Sequence, residues 1–365
     1  MNEFNDELSH KQIITLLKQH LSDSEGVEEA KINPQHGGLF NHIVRVNFGE
    51  QTWFVKQYLN KNVSAVFTPP EIDKTIRAEL AYKVHRLTLD LAKEQGLSVL
   101  PADIYYDESA SCLLIAGINQ PIDLVEFFSN GLYPKRQLLD LAQLMANLHQ
   151  YTCQTADYSE SEFYSNEEFR DFKLDLQYDG IVDQLSEDVR QTVLEVAARY
   201  KDQQVCVLHG DLNSRNVIFT LEPNGISGVI DFEQSHVGHP VYELTYLLSE
   251  ILISTCYYTE SAAAAADSFV SFIERYEVTV QTEELAINDR DFIAHLAIQA
   301  IYRIIGPSRN SWSFYLDEQS KQKVIDLGEN MLRNLEQADQ MMAKVRSGEP
   351  LEQAFSAYLP VSELS

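Results

Sequence analysis

The feature that most constrains this 365-residue chain is a short polar segment set between apolar ones. The segment follows Val207-Leu208 and reads His209-Gly210-Asp211-Leu212-Asn213-Ser214-Arg215-Asn216. A second apolar run, Val229-Ile230, ends in Asp231, twenty residues after Asp211. Short apolar runs bounded by polar residues are typical of buried strands. The pattern therefore predicts two strands that each deliver polar side chains to one site.

The residue types and spacing of this segment indicate a particular chemistry. Asp211 and Asn216 are five residues apart, as are the Asp and Asn of a kinase catalytic loop. Phosphoryl transfer requires an acceptor for the proton of the substrate hydroxyl, and ligands for the Mg²⁺ that holds the phosphates. Asp211 suits the first task, and Asn216 and Asp231 suit the second as hard oxygen ligands. The alternative is that Asp211 is a buried structural carboxylate.

These motifs resemble those of the aminoglycoside phosphotransferase / choline kinase-like family of small-molecule kinases. That family carries a His-Gly-Asp-Leu-x-x-x-x-Asn loop, followed by an Ile-Asp-Phe/Trp-Glu segment. The resemblance covers about residues 30 to 250. Upstream of the loop, four further segments are similar to the family's nucleotide-binding hairpin, lysine strand, glutamate helix and central helix. In that order they are Gly37–Val46, Trp53–Lys56, Arg77–Glu79 and Gln143–His149.

The resemblance implies an α+β, two-lobed protein-kinase-like fold. We expect an N-terminal lobe over residues 1–116, with an antiparallel sheet, one helix and a leader helix at 9–22, and a mostly helical C-terminal lobe over 117–365. Residues 117–121 are the expected hinge. Periodicity and Gly/Pro punctuation predict two strands within 27–48, around Gly37-Gly38, and further strands near 52–58, 102–106, 112–116, 205–208, 216–220 and 226–230. The same signals predict helices near 72–95, 135–150, 241–257, 261–276, 288–305 and 318–346.

The resemblance also implies a nucleotide site. Lys56 and Glu79 would pair and clamp the phosphates of ATP, and Gly37 and Gly38 would let the backbone approach them. A Lys amid apolar neighbours should be paired, because a buried lone ammonium is costly. The alternatives are a solvated lysine on an edge strand and a plain hairpin turn. No Gly-Lys-Ser/Thr follows the glycines, so they are not a Walker loop.

Several residues near the motifs leave alternatives open. Glu233 could reach a second metal ion or a cationic substrate, or it could be a surface residue. His209 fits a hydrogen-bonded support for the loop better than a titrating group. His236 and His239 have no third ligand at zinc spacing. Where the family usually has Asp, this chain has His239, and the change removes a carboxylate that would brace the loop.

The sequence around Asp231 differs from that of protein kinases. Gly210 stands where they carry an Arg, which we infer docks a phosphorylated activation loop. Only Gln234–Pro240 separate the Asp231-Phe232-Glu233 triplet from an apolar helix, which leaves no room for such a loop. We therefore expect a site that is assembled without activation, and a small acceptor.

Composition narrows the classes of partner. The chain has 55 acidic and 28 basic residues, a net charge of −27, so binding to nucleic acid or anionic membranes is not expected. No apolar run reaches membrane-spanning length. The four cysteines are scattered, as in reduced cytosolic proteins, and the polar N-terminus does not read as a signal peptide. We expect a cytoplasmic protein.

Acidic and aromatic residues are dense in the segment before the catalytic loop and beyond it. Carboxylates together with aromatic faces can hold a cation, which favours an acceptor with an amine or a positive charge. The alternative is an ordinary helix with an acidic face in solvent. The carboxylates are Glu162, Glu167, Glu168, Asp171, Asp175, Asp179 and Glu233, and the aromatics include Tyr164, Tyr178, Trp312 and Tyr315.

The sequence thus predicts an enzyme that uses ATP and Mg²⁺ to phosphorylate a hydroxyl of a small molecule, with amine-containing acceptors as candidates. The rival interpretations are a catalytically inactive nucleotide-binding regulator and, less favoured, a protein kinase. The motifs do not name the acceptor, because kinases of amino sugars, choline, homoserine, methylthioribose and ketosamines share this skeleton. They do not indicate an oligomeric state.

Overall fold

Strands are concentrated in the first part of the chain and helices in the rest. The computed structural model describes residues 7–35, 41–60, 68, 70–118, 120–220 and 227–356. Its strands are β1 Lys31–Pro34, β2 Asn41–Phe48, β3 Gln51–Tyr58, β4 Val99–Leu100, β5 Ile104–Asp107, β6 Cys112–Ala116, β7 Pro121–Asp123, β8 Cys206–Leu208, β9 Val217–Thr220, β10 Ser227–Val229 and β11 His236–Gly238. Its helices are α1 His10–His20, α2 Lys74–Glu94, α3 Leu124–Phe128, α4 Lys135–Gln154, α5 Ala156–Ser159, α6 Glu162–Ser165, α7 Glu167–Gln177, α8 Glu187–Lys201, α9 Val241–Thr255, α10 Ala262–Thr279, α11 Asp289–Ile305, α12 Arg309–Trp312, α13 Glu318–Arg333, α14 Ala338–Arg346 and α15 Leu351–Ser356.

The N-terminal sheet is antiparallel, with the order β1-β2-β3-β6-β5. Successive side chains of a strand point to opposite faces, so the alternating sequence of β3 divides between two cores. Trp53 and Val55 pack in the core beneath α1, and Tyr58 packs in the core that contains α2. Lys56 lies over the Tyr58 ring at 5.2 Å from its centroid, on the α2 side. The alternation of side chains along β3 thus points Lys56 toward the helical lobe.

The two helices on this sheet begin at polar caps. In α1 the Ser9 side chain accepts from the Gln12 backbone N–H and the Gln12 side chain accepts from Ser9, a capping box that fixes the start of the helix. In α2 the Asp73 side chain accepts from the Thr75 N–H. The core that contains α2 continues into the helical lobe, where α4, α9 and α11 contribute many of its apolar side chains.

Two small sheets carry the loops of the site, and one of them connects the lobes. One has the order β4-β10-β9-β7, in which β4 runs parallel to β10, and the other pairs β11 with β8. Because β4 precedes residue 117 and pairs with a strand beyond it, the sheet crosses the expected lobe boundary. The division into residues 1–116 and 117–365 stays a prediction.

The predicted α+β, kinase-like architecture is confirmed, and most predicted elements occur within a few residues of their expected positions. The single helix expected over 318–346 is wrong, because α13 ends at Arg333 and α14 begins at Ala338. The Asn334 side chain donates to the Asn330 carbonyl at 2.8 Å, a local bond that competes with helix continuation. Residues 152–190, expected to form one amphipathic helix in the simpler interpretation, form several short ones.

All four cysteines are free thiols, as predicted. Within the part of the chain that the structure describes, we find no helix with the length and apolar character needed to span a bilayer.

His85, His236 and His295 are buried and His239 is half-buried, and burial disfavours the charged imidazolium. Burial is the largest cause of the shift in each case, and it lowers the pKa of His85 and His295 to about 3 and that of His236 and His239 to about 4. These rings are therefore neutral in the folded protein at pH 7. The unfolded chain would protonate them near their ordinary pKa of about 6.5.

We predict that the folded state loses stability as the pH falls below about 6.5, because the unfolded chain then binds more protons than the folded one. Each such histidine contributes roughly 1.4 kcal/mol per pH unit until its folded pKa is reached. Urea unfolding at pH 7 and pH 5 should show a loss of several kcal/mol. His85→Gln should reduce this pH dependence and the exposed His10→Gln should not, whereas equal stability at both pH values would contradict the account.

Candidate active site

The predicted catalytic loop lies between β8 and β9, and its shape depends on Gly210. This residue has φ = +80°, in the left-handed region that L side chains rarely adopt. A Cβ atom at this position would lie 1.9 Å from the carbonyl oxygen of Gln234. The loop therefore packs against the segment that follows Asp231 with no room for a side chain. The Arg that protein kinases carry at this position would not fit here.

Two glutamates of α9 bind the backbone of the catalytic loop. The Gly210 N–H donates to Glu243 Oε2 at 3.1 Å, and the Ser214 N–H donates to Glu250 Oε1 at 2.9 Å. Glu243 is fully buried and also accepts from His149 Nε2 of α4 at 2.6 Å. Burial acts to raise the pKa of Glu243, but the charge and hydrogen bond of His149 hold it below its ordinary value. The loop backbone is thus bound to α9, which is in turn bound to α4 through His149.

His209 supports the loop through both ring nitrogens. Its Nε2 donates to the Ile230 carbonyl at 2.9 Å, and its Nδ1 accepts from the Asp211 N–H at 3.1 Å. This pattern requires a neutral ring, and burial does lower the pKa of His209. The predicted supporting role of His209 is confirmed by these contacts.

Asp211 is held by two donors on opposite oxygens. Asn216 Nδ2 donates to its Oδ2 at 3.0 Å, and Lys173 Nζ of α7 donates to its Oδ1 at 2.5 Å. The Asp211 side chain keeps 17% of its surface exposed, so a small group can still reach it. Because the amide nitrogen of Asn216 is committed to Asp211, its Oδ1 is the atom that can ligate a metal ion.

Lys173 was not among the residues predicted from the sequence. It lies 38 positions before Asp211, in a helix that the sequence marks only as acidic. One signal was present in the sequence. Residues 152–190 contain only three basic residues, and two of them, Arg170 and Lys173, are one helical turn apart. Both are 5% exposed, so this turn of α7 faces the protein interior rather than solvent.

Asp231 follows β10 and points toward Lys56. Its backbone is left-handed, with φ = +73°, as the chain turns from the strand into a 3₁₀ turn at Phe232–Gln234. Its side chain is 35% exposed and forms an ion pair with Lys56 Nζ. Burial acts to raise the pKa of Asp231, but the Lys56 charge lowers it below the ordinary value. Asp231 is therefore ionised and open to the cleft on one side, as a metal ligand must be.

Glu233 is buried, with 3% of its surface exposed, among donors from the N-terminal lobe. It accepts from Asn41 Nδ2 at 2.6 Å and lies 3.6 Å from Lys56 Nζ and 3.9 Å from Arg77 Nη1. Burial raises its pKa despite these partners. The surface alternative for Glu233 is therefore wrong.

The predicted ion pair between Lys56 and Glu79 does not form in this structure. Glu79 is 37% exposed and pairs with Lys83 at 2.7 Å, one turn along α2. The reason is helical geometry. Arg77 and Glu79 are two residues apart, and in a helix of about 3.6 residues per turn such residues lie on nearly opposite faces. Arg77 occupies the inward face of α2, and Glu233 takes the place expected of Glu79 beside Lys56.

Phe232 connects α2 to the catalytic loop. Its ring stacks on His85 of α2 at a centroid distance of 4.6 Å and on His209 at 4.4 Å. The middle residue of the Asp-Phe-Glu triplet is therefore a packing residue, and it fixes the helix relative to the loop.

The remaining predicted positions have structural roles or lie outside the described residues. Gly37 and Gly38 lie outside the described residues. Among the residues described, no three His, Cys, Asp or Glu side chains form a group able to hold a metal ion. His236 contacts Tyr200, at 3.2 Å between Nε2 and the hydroxyl. His239 Nδ1 accepts from the Val241 N–H at 3.2 Å, so it caps α9 in place of the missing carboxylate.

The antiparallel sheet lobe and the helical lobe that carries this loop form a protein-kinase-like fold. The model of the phosphotransferase enzyme family matches residues 32–272, more than half of the chain, and the protein belongs to that family. A comparison with functionally curated proteins finds no match.

Several solved structures are similar to this chain. A candidate aminoglycoside phosphotransferase from Ralstonia eutropha is 16% identical, with a TM-score of 0.50 over 91% of this chain and 99% of that one. An ethanolamine kinase from Plasmodium vivax is 16% identical, with a TM-score of 0.49 over 97% and 91%. The choline kinase LicA from Streptococcus pneumoniae is 18% identical, with a TM-score of 0.44 over 89% and 99%. At these identities the likeness concerns the fold alone.

We predict that Gly210→Ala inactivates the protein and destabilises it by more than the backbone cost alone. The left-handed conformation costs an L residue about 1–2 kcal/mol, and the contact with Gln234 adds to it. Gly26→Ala is the matched control, because Gly26 has φ = +77° and no atom within 4 Å of its added Cβ. Urea unfolding and phosphotransferase assays compare the two variants, and equal effects would show that the close approach does not matter.

Proposed function

We propose that this protein is a kinase that transfers the γ-phosphoryl group of ATP to a hydroxyl group of a small molecule. The observation that carries the proposal is the placement of Asp211. Its carboxylate lies on a loop bound to α9 and receives donors from Asn216 and Lys173. Asp231, ionised and paired with Lys56, lies on the segment packed against that loop. Membership of the phosphotransferase family supports the reaction class.

Each residue has a role in the proposed reaction. The hydroxyl oxygen attacks the γ-phosphorus, the bond to the bridging oxygen breaks, and ADP leaves with the electron pair. Asp211 accepts the hydroxyl proton. Lys56 binds the phosphates, with Glu233 in place of Glu79 as the acid that positions it. Gly37 and Gly38 stay proposed phosphate contacts.

Asn216 and Asp231 would hold the Mg²⁺ that this chemistry uses to neutralise phosphate charge. The donor set fits such an ion. It consists of a carboxylate open to the cleft and an amide whose nitrogen is already engaged, and oxygen ligands are those that Mg²⁺ prefers. We place the reaction in the cytoplasm, between the proposed lobes 1–116 and 117–365, with no nucleic-acid partner.

The two rival functions fit the structure less well. An inactive regulator would not need Asp211, Asn216, Asp231 and Lys56 together. A protein kinase would need an activation segment, but the chain passes from Glu233 through β11 directly into α9.

An amine-containing acceptor stays a prediction, but groove carboxylates rather than the predicted aromatic residues now support it. Tyr178 is fully buried and bonded to His295, and Trp312 stacks on Arg303 and Arg215 at 4.3 and 5.1 Å from the ring centroid. These rings already serve internal partners. Several of the predicted carboxylates instead line an open groove of about 900 Å³, together with Glu71, Asp73 and Glu160. The carboxylates in question are Glu162, Glu167 and Glu168.

We predict that acceptors with a hydroxyl and an amine are phosphorylated faster than neutral or anionic ones, because the groove between residues 71–76 and 159–168 is lined by carboxylates. An acceptor panel at matched concentration measures ADP release with ethanolamine, choline, an aminoglycoside, a neutral sugar and a sugar acid. Strong turnover of the neutral or acidic sugar, with none of any amine, would refute the charge assignment.

We predict that Asp211→Asn lowers kcat by about 10²–10⁴-fold, because the amide cannot accept the hydroxyl proton. Binding of ATP should persist, since Asp211 does not contact Lys56 or Asp231 in this structure. Steady-state kinetics with ATP titration separates the two effects. The role is excluded if the variant retains more than about a third of wild-type kcat.

A further inference from the structure

Lys173 places a cation in contact with Asp211, and no role of it follows from the family motifs. Its side chain is 6% exposed, although an ammonium group is costly to bury. It extends from α7 to Asp211 Oδ1, one of the two oxygens that can take the hydroxyl proton.

The position of Lys173 is fixed on two sides. Nζ lies 2.5 Å from Asp211 Oδ1 and 5.1 Å from the centroid of the Tyr246 ring. Tyr246 is itself held by Arg303, whose guanidinium carbon lies 4.1 Å from the same ring. Arg303 in turn pairs with Glu250 at 3.1 Å, the glutamate that holds the catalytic loop at Ser214. Lys173 is therefore part of the same rigid assembly as the loop.

This placement brings a positive charge close to the atoms that react. A hydroxyl donating to Asp211 Oδ1 would sit about 2.7 Å from that oxygen, so Nζ lies no more than about 5 Å from the attacking oxygen. The γ-phosphoryl group approaches the same oxygen and carries negative charge on its three equatorial oxygens. A cation at this distance stabilises that charge once it turns toward the phosphoryl group.

We propose that Lys173 is a catalytic residue that binds an equatorial oxygen of the phosphoryl group during its transfer. This inference rests on the proposed kinase function. Before the reaction, Lys173 neutralises the Asp211 carboxylate. When Asp211 accepts the hydroxyl proton its negative charge is lost, and Lys173 exchanges this partner for the phosphoryl oxygen. The atoms transferred are those of the kinase reaction, with ADP as the leaving group.

The test uses a mimic of the transferred group, so it does not depend on knowing the acceptor. Thermal unfolding is followed for the free protein, with Mg·ADP, and with Mg·ADP plus aluminium fluoride, which resembles the planar phosphoryl group. In the wild type we expect aluminium fluoride to raise Tm beyond the rise from Mg·ADP. Lys173→Met should lose this further rise and retain the rise from Mg·ADP, and Lys173→Arg should keep most of both.

Arg170→Met is the matched control. Arg170 lies one turn earlier on α7, is equally buried, and pairs with Asp171 at 3.0 Å rather than with Asp211. It should keep both rises even if its Tm is lower. In steady-state assays Lys173→Met should lower kcat by about 10²–10³-fold, with KM for ATP changed less than about threefold.

The outcomes separate the two levels of inference. If Lys173→Met keeps the full aluminium fluoride rise, or if the wild type binds Mg·ADP with no such rise, the role of Lys173 is overturned and the kinase function stands. If Mg·ADP raises Tm in none of the proteins, the kinase function falls and the role of Lys173 falls with it.

Discussion

The structure depends on a buried cluster of charges in which Lys56 of the N-terminal sheet meets Asp231 and Glu233 of the segment after β10. Arg77 and Asn41 complete it from α2 and β2. Buried charges are stable only when they are paired, and removing one partner leaves an uncompensated charge that costs several kcal/mol. Asp231 and Glu233 can be satisfied only if β2, β3 and α2 approach this segment. The cluster therefore determines where the sheet lies relative to the helical lobe.

On the other side of the cleft, the catalytic loop is held both through its backbone N–H groups and through its own side chains, such as His209. Glu243 and Glu250 accept from the loop N–H groups of Gly210 and Ser214. Phe232, between His85 and His209, ties this assembly to α2. These contacts leave Asp211 positioned before any ligand arrives. Preorganisation of this kind is what electrostatic catalysis requires, because the groups need not move when charge develops.

The sequence predicted those parts of the site that depend on local order along the chain. The spacing of Asp211, Asn216 and Asp231 follows from two strands and their loops. Partners chosen by packing could not be predicted in the same way. Whether Arg77 or Glu79 faces inward depends on how α2 is rotated about its own axis. The sequence alone does not determine that rotation.

Long-range contacts were missed for a related reason. Lys173 reaches Asp211 only because α7 packs against β11, and its helix is otherwise acidic. Trp312 and Tyr178 are predicted ligand contacts that the fold uses internally, because nearby cations and histidines need partners. The break between α13 and α14 lies at Asn334, whose side chain bonds to the backbone of Asn330. Hydrophobic periodicity gives no signal for such a bond.

The charge cluster has a consequence for binding that can be measured. Without ligands, Lys56 neutralises Asp231. A nucleotide that takes Lys56 leaves Asp231 uncompensated, and a metal ion that takes Asp231 leaves Lys56 with Glu233 alone. Each ligand alone therefore breaks a pair, whereas both together replace it, so nucleotide and Mg²⁺ should bind cooperatively.

The most direct test is calorimetric titration of a non-hydrolysable ATP analogue into the protein, first with EDTA and then with millimolar Mg²⁺. The account predicts that Mg²⁺ increases the affinity at least about tenfold, within the usual range of coupling between two sites. Equal affinity in both buffers would show that Asp231 does not exchange Lys56 for a metal ion, and would contradict the proposed site.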